Sequence, residues 1–403
     1  MPSDFETTIW WQIYPLGATG APIRDCKPGD GSHRLTKLIA WMDYAVELGC
    51  NGLLLGPIFE SSAHGYDTTD YFKIDSRLGD ENDWQRFVAE AHSRGLRIML
   101  DGVFNHVGVN HPWVKESLAN GGGLVKVNGQ YPQHWEGNLD LATLNHANPK
   151  VQEIITDVMT YWCQRGADAW RLDAAYSMPP DFWAAVLPRV RAKFPKVYFV
   201  GEMIHGDYCQ YASQSTIDSI TQYELWKATW SSLADDNMWE LAHALERHEK
   251  ICQSITPLIF IGNHDVDRIA SKVGKQKALL ATIMLFTMPG VISIYYGDEQ
   301  GFTGMKGEDI AADDPIRPPL PDCPDDLFTD KDFYNTYRAM IHLRRSNPWL
   351  TKAAIEVVDK QNEWIEYRAK SGENQLDAKI ISKPVPKAEI KINGQAVYFY
   401  TAD

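Results

Sequence analysis

Eight short apolar runs, each followed by a stretch of helical spacing, constrain this chain more than any other feature. The runs cover residues 9–14, 52–55, 96–103, 169–172, 197–201, 217–221, 257–261 and 291–295. Amphipathic stretches such as 34–48 and 83–94 lie between them. In the second of these, Trp84, Phe87, Val88 and Ala91 share one helical face. Asn82 or Asp83 is the expected start cap of that helix, and Gly95 marks its end. Strand–helix alternation of this kind predicts an α/β fold built from parallel βα units. Eight units in about 345 residues predict a closed (β/α)8 TIM barrel. Periodicity alone leaves an open doubly wound sheet as the alternative.

Two segments break the alternation. Residues 107–148 carry a Gly run at 121–123 and many polar and aromatic side chains. They read as a loop subdomain inserted after strand 3, at the end of the strand where long loops usually carry function. From residue 347 the pattern turns to short alternating strands, for example 363–367 and 396–400. Turn signals at Ser371-Gly372 and Asn393-Gly394 punctuate them. The expected organisation is therefore a catalytic barrel over 1–346, including the 107–148 insertion, and a small C-terminal antiparallel β domain over 347–403.

Composition narrows the partners. The 403 residues are 44% hydrophobic and 23% charged, an ordinary globular balance. A net charge of −14, from 39 basic and 53 acidic side chains, repels phosphate backbones and anionic lipid. A neutral substrate is easier to accommodate, and neither nucleic acid nor a membrane surface is expected. No apolar run reaches 18 residues, and the N-terminal residues have neither a basic nor an apolar signal region. Six cysteines (26, 50, 163, 209, 252 and 323) lack CxxC spacing, which argues against zinc and reads most plainly as free cytoplasmic thiols, with a secreted form whose signal has been removed as the alternative.

The informative polar residues sit where apolar runs end. The third run ends in Asp101-Gly-Val-Phe-Asn105-His106 and the fourth in Arg171-Leu-Asp173. The fifth ends in Gly201-Glu202 and the seventh in Asn263-His264-Asp265. In a parallel barrel these ends meet at one mouth, where barrel enzymes do their chemistry. Each Asp taken singly is most simply a helix cap, and a lone His is most simply a core histidine. Arg171 and Asp173, two apart on a strand, face the same side and could be a purely structural pair. Glu202 is a poor cap residue, and four such coincidences at four strand ends favour a site. Cleaving a glycosidic bond with retention needs this inventory: a carboxylate nucleophile and a carboxylic acid flanking the bond. Arg171 is expected to keep the nucleophile ionised.

With these residues in view, the chain resembles the alpha-amylase family of glycoside hydrolases over roughly residues 9–345. DGVFNH (101–106), GADAWRLDAA (166–175), VGEM (200–203) and IGNHD (261–265) look like the family's four signatures, in order. GCNGLLLGP (49–57), HGYDTTDYFKID (64–75), LATLN (141–145) and MPGVISIYYGDEQG (288–301) support them. The resemblance implies Asp173 as nucleophile, Glu202 as general acid/base and Asp265 as transition-state stabiliser. It implies that Tyr66 stacks on the sugar, that His106, Arg171 and His264 bind its hydroxyls or orient the nucleophile, and that Arg268 is a sugar or network contact. Asp101 matches a structural position below the site. No cofactor is required by the resemblance. Asn105 matches a calcium ligand of many members, so calcium is a possible addition.

HGYDTTDY, VFNHVG and YYGDEQGFTG look nearest to neopullulanase and cyclomaltodextrinase members, although the barrel pattern starts at residue 9 without their N-terminal domain. Ala174-Ala175-Tyr176-Ser177 replaces the Lys-His of starch amylases after the nucleophile, which alters the aglycone side and a calcium-site carbonyl. Ala63 stands where exo-acting alpha-glucosidases carry Asp, which argues against their closed pocket. The implied activity is hydrolysis of alpha-glucosidic bonds in alpha-glucans or malto-oligosaccharides through a covalent intermediate. The alternative is transfer of the same intermediate to a sugar acceptor, or action on a small alpha-glucoside such as trehalose or sucrose.

Overall fold

A computed structural model describes residues 4–24, 32–309, 311–327 and 330–402. Cys26 lies outside the described residues. All eight expected strands form: β1 (Ile9–Ile13), β2 (Gly52–Leu55), β3 (Arg97–Gly102), β4 (Ala169–Leu172), β5 (Tyr198–Gly201), β6 (Ser219–Ile220), β7 (Leu258–Ile259) and β8 (Val291–Tyr295). They pair in parallel in the order β6-β5-β4-β3-β2-β1-β8-β7. The two ends of that order meet: Thr221 bridges Leu258 in parallel, and the Gln222 N–H donates to the Leu258 carbonyl at 2.9 Å. The sheet is therefore a closed barrel, and the open-sheet alternative falls.

Strand residues alternate between two apolar environments, as the period of two requires. Trp10, Leu54, Met99, Ala169, Val200, Leu258 and Val291 fill the barrel interior. Trp11, Leu53, Leu55, Leu100, Trp170, Leu172 and Ile292 face outward into a core made with the helices. The runs read as continuously apolar because both faces are buried.

Helix α1 (Leu35–Leu48) lies between β1 and β2, and α2 (Glu81–Ser93) lies between β2 and β3. The α2 cap differs from expectation. Asp80 accepts from the Asn82 and Asp83 N–H groups, and Asp83 returns a bond from the Asp80 N–H. A reciprocal box satisfies more orphan donors than either Asn82 or Asp83 could as cap.

The excursion after β3 folds as a helix (Pro112–Ala119) and a small sheet in which Asn138–Thr143 lies between His106–Gly108 and His134–Trp135. Beyond helix α3 (Lys331–Ser346), five strands run antiparallel in chain order: β9 (Ala354–Lys360), β10 (Trp364–Ser371), β11 (Asn374–Ile381), β12 (Lys387–Ile392) and β13 (Gln395–Thr401). Asn393 and Gly394, at φ +50° and +79°, make the expected hairpin turn between the last two. The inner face of this sheet, including Ile365, Tyr367 and Leu376, joins the same apolar core as the barrel helices. No helix among the described residues is long and apolar enough to cross a membrane.

Candidate active site

The site grows from the inward-facing register of β3, β4 and β5. Arg171 on β4 lies beside Asp101 on β3, and the pair faces the interior one step above Met99 and Ala169. Asp173 and Glu202 lie one inward position beyond the barrel layer, at the mouth. Asp265 reaches the same place from the turn after β7. One guanidinium ties these groups together. Nη1 of Arg171 donates to both Asp101 oxygens at 2.7 Å and to Asp173 Oδ1 at 3.1 Å. Nη2 donates to Glu202 Oε1 at 2.6 Å and lies 4.0 Å from Asp265 Oδ2. Four carboxylates from four strand ends thus surround a cation that is itself 3% exposed.

Glu202 is held from three sides. Besides Arg171, the Tyr223 hydroxyl donates to Oε1 at 3.2 Å, and the Ala174 N–H donates to Oε2 at 2.8 Å. Ala174 adopts φ +46°, a left-handed conformation that strains a residue bearing Cβ. That strain sits directly after Asp173 and turns the Ala174 amide toward Glu202. Asn263 connects the two halves of the cluster: its amide donates to Tyr223 at 2.8 Å, and its carbonyl accepts the Asp265 N–H at 2.8 Å.

A second layer is a row of near-parallel rings. His264 lies between Tyr14 and Tyr66, with interplanar angles of 2° and 3°, and Tyr66 meets its edge through the hydroxyl. The Gln12 amide contacts His264 Nδ1 at 3.1 Å, leaving Nε2 as the donor toward Tyr66 and Asp265. Tyr66 passes its own proton on, donating to Asp101 Oδ2 at 3.0 Å. His106 stacks on Trp135 of the excursion with centroids 4.6 Å apart, and its Nε2 is buried without a hydrogen-bond partner among the described residues.

Electrostatics separates the carboxylates. Burial pushes Asp101 up to about 6 against the pull of Arg171. Burial and the neighbouring Glu202 charge push Asp173 well above the usual carboxylate range, and Arg171 does not overcome them. The expectation that Arg171 keeps Asp173 ionised is therefore corrected, because the guanidinium is shared among several carboxylates. Asp265 behaves oppositely. Burial raises it, but His264, Arg317 and Arg171 prevail and hold it below its ordinary value. Burial lowers both His106 and His264 to about 3, so both imidazoles are neutral near pH 7.

The structure brings Asp173, Glu202, Asp265, Tyr66, Arg171 and His264 together, with His106 beside them under Trp135. It does not bring Arg268 to the cleft. That side chain is buried, donates to the Tyr296 and Ile316 carbonyls at 2.6 and 3.1 Å, and pairs with Asp298 at 2.9 Å. It is a network residue under the β8 loop rather than a sugar contact. Asn105 meets His106 through its amide at 3.2 Å. Among the described residues, the one group of three His, Cys, Asp or Glu side chains close enough together to share a metal ion, His33, Asp80 and Asp83, does not include it.

Sequence reasoning missed Arg317, which donates to Asp265 Oδ1 at 3.1 Å and to the His264 carbonyl at 2.8 Å. It arrives from an irregular segment with no periodic signal. Tyr223 and Gln12 were also missed, although Gln12 breaks an apolar run at an inward position and could have been flagged.

A model of the alpha-amylase catalytic domain matches residues 25–135 and 126–326. The chain belongs to the alpha-amylase family. It is a glycoside hydrolase of that family. A cyclomaltodextrinase of Geobacillus thermopakistaniensis is 30% identical, over 96% of this chain and 71% of the relative. The intracellular maltogenic amylase of Bacillus subtilis is 28% identical, over 94% and 68% respectively. Among solved structures, the Arthrobacter globiformis cyclic alpha-maltosyl-(1→6)-maltose hydrolase, in complex with that cyclic sugar, superposes with a TM-score of 0.83. It is 25% identical and covers 96% of this chain and 93% of its own.

Proposed function

We propose that this enzyme hydrolyses alpha-glucosidic bonds in alpha-glucans or malto-oligosaccharides, with retention, through a covalent glycosyl-enzyme intermediate. The observation that carries the reading is the Arg171 hub, which gathers Asp101, Asp173 and Glu202 within hydrogen-bonding distance of one guanidinium. Two carboxyls sharing one cation favour the close spacing of the two-step route over the wider spacing that admits water between acid and base.

In the first step an Asp173 oxygen attacks the anomeric carbon. The bond from that carbon to the glycosidic oxygen breaks, and Glu202 gives its proton to the departing oxygen. In the second step Glu202, now a carboxylate, takes a proton from water, whose oxygen attacks the same carbon and releases Asp173. The raised Asp173 is compatible with this cycle. Its largest electrostatic opponent is the Glu202 charge, which the acid form required in the first step does not carry. Asp265, low and 35% exposed at its side chain, remains anionic to stabilise positive charge at the sugar ring. Neutral His264 and His106, with Tyr66, form the wall that receives the sugar, and the unpartnered His106 Nε2 is suited to a hydroxyl. Five described cysteines are free thiols, and a relative is named intracellular; both support a cytoplasmic location.

The test is product analysis on starch, pullulan, cyclodextrin, maltotriose, trehalose and sucrose, with the anomeric form of the first product followed by NMR. Alpha-configured maltose or glucose from the glucans supports the reading. Beta-configured product refutes retention, and turnover of trehalose or sucrose alone refutes the substrate class.

A further inference from the structure

Beside Asp265 a groove of about 410 Å³ leads away from the carboxylate cluster. Its floor is a helix, Tyr223–Asp235, that begins inside the site. Tyr223 touches Glu202. Trp226 and Trp230 follow three and seven residues later on the same face, so the line from Tyr223 to Trp230 runs about 10 Å along the helix. The two indoles lie 6.0 Å apart. Trp226 is backed by Phe260 of the barrel interior, with centroids 6.3 Å apart and planes near parallel. Trp230 carries Lys272 Nζ 4.4 Å from its ring. Met305 forms the opposite rim and is 54% exposed.

Both lysines of this groove are already paired. Lys272 pairs with Asp267 at 2.8 Å, and Lys306 pairs with Asp313 at 2.8 Å while donating to the Asp265 carbonyl at 2.9 Å. An anionic ligand would find no free lysine here, and the lining Glu308 adds a further negative charge. Two half-buried indoles framed by paired charges suit a neutral ring with apolar faces and a hydroxyl rim. Asp265 belongs both to the lining of this groove and to the carboxylate cluster.

We infer that Trp226 and Trp230, with Met305 opposite, form a binding subsite for a glucosyl unit of an alpha-linked chain beyond the units flanking the scissile bond. This inference rests on the alpha-glucan reading above and adds a chain-length preference to it. Occupation of the groove stabilises the bound chain remote from the chemistry, so its effect appears as a gain for longer substrates.

The test compares kcat/KM on maltotriose and maltoheptaose for the unaltered enzyme, Trp226→Leu and Met305→Asp. The expected result is a fall of about tenfold in the maltoheptaose-to-maltotriose ratio for Trp226→Leu, mostly through KM, the size expected for losing one ring-stacking contact. Met305→Asp, on an exposed side chain, is expected to move the ratio in the same direction and carries the test if Trp226→Leu fails to fold. An unchanged ratio in a folded variant overturns the subsite while leaving the proposed function intact. Absence of hydrolysis of both sugars by the unaltered enzyme overturns the proposed function, and the subsite with it.

Discussion

Replacing Arg171 by Met tests the hub directly. The side chain is 3% exposed and is the shared cation for Asp101, Asp173 and Glu202. Met keeps much of the volume but leaves buried carboxyls without their partner, a change that typically destabilises by about 3–5 kcal/mol. For 403 residues, the unfolding entropy is about 0.8 kcal/mol/K, so Tm should fall by roughly 4–6 °C. The loss must depend on pH. Asp101 already has a folded pKa of about 6, above its unfolded value. Its stabilising contribution is therefore fully present below the unfolded pKa and lost as pH rises through about 6. Without Arg171 the folded value climbs further, so the variant loses stability over a wider span of rising pH. The gap between wild type and variant should be widest above pH 7 and narrow near pH 5, below the Asp101 value of about 6. Calorimetric melts at pH 5 and pH 8 measure it. An equal Tm loss at both pH values, or none at pH 8, would refute the argument that the guanidinium acts by charge.

Further outcomes follow from the same geometry. Asp173→Asn should lower kcat on the order of 10⁴-fold. Because burial and Glu202 raise the Asp173 pKa, its ionisation opposes folding as pH rises, so Asn should raise Tm at pH 8; a lower Tm there contradicts the electrostatic reading. Glu202→Gln should retain far more activity on a glucoside with an activated leaving group than on maltotriose, because only the natural leaving oxygen needs a proton; equal losses count against its acid role. Arg268→Lys should lower Tm by shedding bonds to the Tyr296 and Ile316 carbonyls, whereas a raised KM with unchanged Tm would place Arg268 at the substrate. EDTA should leave activity in place, because the proposed steps use only Asp173, Glu202 and water; loss of activity on chelation with recovery by added calcium would refute this.

Much of this molecule is written locally. Each barrel strand is a short apolar run buried on both faces, and hydrophobic periodicity reports that without knowledge of any neighbour. The acidic residues that end β3, β4 and β5 could also be read, because a period of two fixes which of Arg171, Leu172 and Asp173 face inward. Closure of the barrel was not legible: it depends on Thr221 meeting Leu258, two residues whose own segments carry no trace of each other. The α2 cap was misplaced because a reciprocal box depends on backbone geometry at Asp80 as well as residue type.

The chemistry divides the same way. Residue types and their order determined that Asp173, Glu202 and Asp265 stand at strand ends, since that is a matter of local spacing. Only the tertiary structure decided the electrostatics of Asp173 and Asp265. Arg171 serves several carboxylates at once, Arg317 comes to Asp265 from an aperiodic segment, and burial raises Asp173 while paired cations lower Asp265. A pKa is set by everything within a few ångströms in space, and that neighbourhood is assembled from segments far apart in the chain.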